Sequence, residues 1–132
     1  MRYYKVYEDW SQTLTVGQLV NDLFKSRDLA HRSHLATDSF AVHKALEIYY
    51  NEVVELIDTF VETWQGTTGE KLHIELNIHD EPDDDASRLQ KLAQNIHMFS
   101  ENLSSVFSHI KNILDEILHL IEQTIYRLKF LH

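Results

Sequence analysis

Five side chains of metal-ligating type stand at fixed intervals in the first half of the chain: His31, His43, Glu47, Asp58 and Glu62, in the pattern H-x11-H-x3-E-x10-D-x3-E. Imidazole nitrogens and carboxylate oxygens are donors that Fe(II), Mn(II) and Zn(II) accept, and carboxylates favour an iron that cycles to Fe(III). The last four lie where apolar residues recur every three or four positions, which predicts one long helix from roughly Ser39 to Trp64. An α-helix rises about 1.5 Å per residue, so Asp58 falls on the order of 22 Å along the axis from His43. No single ion reaches both from one chain. Two copies packed antiparallel across a two-fold axis would bring the His43 end of one helix to the Asp58 and Glu62 end of the other. The spacing therefore predicts a homodimer as the minimal unit, with two identical mixed sites at its interface. A competing reading needs no metal. Every amphipathic helix has a polar strip, and Asn51, Val54 and Glu55 between these residues suit a face that meets water. His34, one turn beyond His31, reads first as a structural group, with a supporting role at the metal or a third-ligand role as alternatives.

The elements that must position these residues follow from periodicity. Residues 1–14 are aromatic-rich without a useful period and read as an arm packed on the body. A first helix is expected from Thr15, as N-cap, to about Leu35, with Val16, Leu19, Val20, Leu23 and Phe24 on one stripe that His31 continues. Thr37-Asp38-Ser39 breaks it and supplies the next cap. The second helix carries Phe40, His43, Leu46, Tyr50, Val53, Ile57, Phe60 and Trp64 as a core face and is expected to end at Gln65-Gly66 with glycine in the left-handed cap. From Leu72 to Ile78 apolar and polar residues alternate, so residues 67–82 read as a partly extended crossover. Two further helices are expected, one to about Phe99 and one carrying Phe107, Ile110, Ile113 or Leu114, Ile117 or Leu118, Ile121, Ile125 and Leu128, with a break near Ser100–Ser105. The fold class is all-α: a single domain over 1–132, a four-helix bundle with one crossover, the ferritin-like topology.

The run His31-Arg-Ser-His-Leu-Ala-Thr-Asp-Ser-Phe-Ala-Val-His43, continued through Glu47, Asp58, Thr59 and Glu62, resembles the signature of the mini-ferritins, the DNA-protecting starvation proteins (Dps). The resemblance covers about residues 16–66, and Glu47 replaces that family's usual aspartate. It implies ferroxidase chemistry at inter-subunit sites. His31 and His43 would come from one chain and Asp58 and Glu62 from its partner, with Glu47 on a second iron or orienting a water. A larger homo-oligomer would follow from the same resemblance. The chain departs from that family in lacking a lysine-rich tail for DNA and a short helix in the connection. The whole chain, with its ending Thr124-Ile-Tyr-Arg-Leu-Lys-Phe-Leu-His132, also resembles small ferritin-like proteins of tailed phages.

Composition narrows the remaining classes. Three glycines and one proline in 132 residues suit long uninterrupted helices. A formal charge of −9 argues against binding nucleic acid through phosphate contacts. Without cysteine there is neither a disulfide nor a thiolate ligand. No run is apolar enough to span a membrane and no secretory leader is visible, so a cytoplasmic protein is expected. The acidic run Asp80–Asp85 lacks the alternating ligands and central glycine of a calcium loop and reads as solvated. Two functions follow as expectations: an Fe(II)-oxidising metalloprotein using peroxide or O2, with zinc or manganese as other ions for the site, or a non-enzymatic helical-bundle interaction protein in which the metal site is vestigial.

Overall fold

Three short polar side chains set where helices begin. Thr15, Ser39 and Asp84 each accept a hydrogen bond from the backbone N–H three residues on, at Gln18, Val42 and Ser87. Each cap satisfies an N–H that a first helical turn leaves without a partner. The Ser87 backbone N–H also holds the Asp84 carboxyl below the usual carboxylate range. The computed structural model describes residues 15–74 and 83–131. Its elements are α1 (Val16–Ala36), α2 (Phe40–Thr68), α3 (Asp85–Glu101), a 3-10 turn (Ser105–Phe107) and α4 (Ser108–Phe130). The expected all-α four-helix bundle is what the chain forms.

Side-chain contacts fix the direction of each helix. Trp64, near the end of α2, stacks on Phe107 at 5.6 Å and tilts against Phe99 of α3 at 5.9 Å. At the opposite end Asp83 and Arg88 share a cavity wall with Ser26 of α1 and Leu46 of α2. Thus α3 runs parallel to α2, and the chain between them must travel the length of the bundle. A short turn cannot do that, which is why the topology needs a crossover. Its first residues are pinned to α1: a Cβ on Gly17 would lie 2.7 Å from the backbone oxygen of His73.

The interior is a continuous apolar cluster. Leu19, Val20 and Leu23 of α1 meet Leu46, Val53, Ile57 and Phe60 of α2, Ile96 of α3, and Ile110, Leu114, Ile117 and Ile121 of α4, all fully buried. Burying each such side chain contributes about 1.5–3 kcal/mol. One phenol lies among them. The Tyr49 hydroxyl donates to Ser26 Oγ at 2.7 Å, because the serine hydroxyl is itself donated to the Leu23 carbonyl at 2.7 Å. Burial pushes the Tyr49 pKa far above the ordinary phenol value, and the Ser26 contact offsets only part of that rise.

Several expectations are corrected. α2 runs through Gly66 to Thr68, and Gly69, at φ 76°, is the left-handed cap. The helix passes Gly66, which faces open space, and Thr68 donates its hydroxyl to the Trp64 carbonyl and carries the last turn onward. Phe40 is 74% exposed rather than in the core, and Tyr49 rather than Tyr50 is the fully buried tyrosine. The α1 stripe ends on Ala30 and His34, leaving His31 exposed. Residues 71–74 form neither helix nor strand; the rest of the alternating run and the arm 1–14 lie outside the described residues.

Candidate metal centre

The corner between α1 and α2 is three residues long and contains no glycine. Thr37 donates its N–H to the Ser33 carbonyl, and its hydroxyl oxygen accepts from Ser39 N–H. Those bonds fold the chain back so that the last turn of α1 faces the first turns of α2. The carbonyl of His34 is one of the four that a helix end leaves without an intrahelical donor. It is satisfied by the side chain of His43, whose Nδ1 lies 2.8 Å away. The reverse bond is also made: His34 Nδ1 lies 2.8 Å from the carbonyl of His43. The two rings stack at 3.6 Å with 20° between their planes.

This reciprocal clasp decides the tautomers. A carbonyl only accepts, so each Nδ1 must carry the hydrogen and donate it. In the neutral imidazole the other nitrogen, Nε2, then keeps its lone pair. A second-atom hydrogen bond to a backbone carbonyl is how ligating histidines are oriented. Glu47, one turn beyond His43, brings a half-buried carboxylate to the same place. Donor atoms of His34, His43 and Glu47 all lie within 4.8 Å of one another, and theirs is the group among the described residues able to hold a metal ion. Two neutral nitrogens and one anionic oxygen fit a divalent transition metal. Lys44 Nζ stands 3.6 Å from Glu47 Oε1, a half-exposed pairing worth little in water.

Of the five residues chosen from spacing, the fold brings His43 and Glu47 together and replaces His31 by His34. His31 stacks its exposed ring on Tyr50 at 4.1 Å. Asp58 and Glu62 are exposed, about four and five turns down α2 from His43, and meet neither histidine within the chain. A sequence signal for His34 existed. His34 and His43 stand four and five residues from Asp38, so a tight corner there faces one toward the other. The described residues of the acidic run do not converge on a site: Asp83 pairs with Lys91, Asp85 with Arg88, and Asp84 caps α3. A cavity of about 180 Å³ between α1 and α3 is lined by Ser26, Leu29, Ala30, Leu46, Leu89 and Leu92 among others, and by none of the three donors.

Comparison with known families places the chain. It belongs to the DUF5856 family, a family of unknown function. The family model matches residues 34–128, which takes in His34, His43 and Glu47 and begins after His31. No curated protein and no solved structure matches the chain. Among the described residues no helix is long and apolar enough to cross a membrane.

Proposed function

We propose that this protein is a cytoplasmic, iron-binding helical bundle that takes Fe(II) at His34, His43 and Glu47 and oxidises it. The observation that carries the reading is the pair of stacked imidazoles whose Nδ1 hydrogens are committed to backbone carbonyls, 2.8 Å away on each side, beside a carboxylate. The imidazoles hold Fe(II), and the carboxylate stabilises the Fe(III) product. Two Fe(II) ions supply two electrons to one peroxide, which with two protons becomes two waters. Three donors leave room for more. Asp58 and Glu62 of a second copy, packed antiparallel along α2, would add carboxylates from across a two-fold axis, consistent with the exposure of both residues.

A second reading, a bundle that docks a partner protein, is favoured by two exposed apolar side chains near the corner, Leu35 at 73% and Phe40 at 74%. One experiment separates the two. Fe(II) is added anaerobically to protein purified without chelator, peroxide is admitted, and Fe(III) formation is followed by absorbance. The protein accelerates oxidation over buffer, and His34→Ala with His43→Ala abolishes the acceleration while helicity by circular dichroism persists. Asp58→Ala does the same, and mixing it with the double histidine variant restores part of the activity through hybrid dimers. Parent protein that oxidises iron no faster than buffer would leave the docking reading in possession. Loss without recovery on mixing would refute the inter-subunit part alone.

A further inference from the structure

His31 occupies a position that spacing marks for a ligand, yet it stands outside the donor group. Its ring is exposed and lies flat on Tyr50, 4.1 Å between centroids and 12° between planes. Its centroid is 5.9 Å from that of His34. Tyr50 meets His34 edge-on at 5.2 Å, so one phenol ring touches both imidazoles. His34 itself is only 7% exposed. An ion arriving from water therefore meets little of the His34 imidazole and the face of the His31 imidazole that Tyr50 leaves open.

We infer that His31 is a capture residue for the metal centre: it takes a divalent ion from solvent and delivers it to His34, His43 and Glu47. The inference rests on the metal-binding reading above. A hydrated ion sheds its waters stepwise, and the first exchange is made by the imidazole that water already bathes. Once held there, the ion is one ring away from buried His34 and the half-buried His43 and Glu47 beside it, so the remaining exchanges become intramolecular and run at high effective concentration. Tyr50 positions the capture ring by stacking, since an unsupported exposed side chain would spread over several rotamers. Departure retraces arrival. A residue that touches the ion on the way and not in the final state changes both rates by one factor and leaves the equilibrium constant alone.

Stopped-flow binding of Co(II) to the full chain, followed by its visible absorption, tests this directly. His31→Ala should slow association by about tenfold, slow release by the same factor, and leave the equilibrium affinity unchanged. Tyr50→Leu, which keeps the imidazole and removes its support, should slow both rates by a smaller common factor. An affinity loss in His31→Ala as large as that in His34→Ala would make His31 a resident ligand and overturn the inference. Rates unchanged in His31→Ala would overturn it as well, while leaving the metal centre intact. Failure of the parent to bind Co(II) at all would instead bring down the metal reading beneath it.

Discussion

Replacing His34 with alanine changes two quantities in one thermal melt, and the structure gives each a size. Without metal, the variant loses the 2.8 Å bond from Nδ1 to the His43 carbonyl and the 3.6 Å stack on the His43 ring. A neutral hydrogen bond contributes about 1 kcal/mol and an aromatic pair about 0.5–1.5 kcal/mol, so the loss is about 2 kcal/mol. The backbone carbonyl of residue 34 remains, so His43 keeps its own orienting bond. At about 2.1 cal/mol/K per residue, the 132-residue chain unfolds with an entropy of about 0.28 kcal/mol/K. The metal-free Tm should fall by about 7 °C. Zinc, which is redox-silent, supplies the second reading. At a hundredfold excess over its Kd, the parent gains about 2.7 kcal/mol, or about 10 °C. If the missing donor weakens Kd by about a hundredfold, the variant keeps only RT ln 2, about 0.4 kcal/mol, or 1–2 °C. Circular dichroism melts with zinc or with a chelator read both numbers. A variant that is less stable yet gains as much from zinc as the parent would show that His34 packs and does not ligate. A parent that gains nothing would refute the centre itself.

Two further outcomes test the scaffold. Tyr49→Phe should flatten the alkaline limb of stability: the folded phenol titrates well above its ordinary value, so above roughly pH 10 the unfolded chain binds fewer protons and the parent loses up to about 1.4 kcal/mol per pH unit, a loss the variant lacks. Urea titrations at pH 8 and pH 11 measure the difference, and equal slopes for the two proteins would contradict the buried-phenol account. Gly17→Ala should cost about 1–3 kcal/mol, or about 4–10 °C in Tm, because its Cβ would lie 2.7 Å from the His73 backbone oxygen. Gly66→Ala, which meets nothing within 4 Å in an exposed helical turn, should instead stabilise by about 0.5–1 kcal/mol. The two substitutions shifting Tm in the same direction would refute the pinning of the crossover to α1.

The helices were legible residue by residue. Caps at Thr15 and Ser39 and the three-four spacing of Leu19, Leu23, Val53, Ile57, Phe60 and Trp64 need only local geometry, because a helix repeats every 3.6 residues wherever it sits. The all-α bundle follows from four such stripes, since each must bury its apolar face on another. The end of α2 was not legible. Gly66 and Gly69 are equivalent as residue types, and what chose between them was the burial of Thr68 and its bond to Trp64.

The donor set shows the same division more sharply. Sequence spacing singled out His43 and Glu47, one turn apart on a single helix, and the fold brings their donor atoms together; it looked for the other carboxylates, Asp58 and Glu62, in a second chain. It did not decide between His31 and His34. Both are on α1, one turn apart, and both lie at the edge of the same apolar stripe. Only the packing angle of α1 on α2 turns one ring inward against His43 and leaves the other on the surface against Tyr50. Local periodicity is blind to that rotation, because it depends on how side chains of two helices interlock across their interface and not on the order of residues within either one.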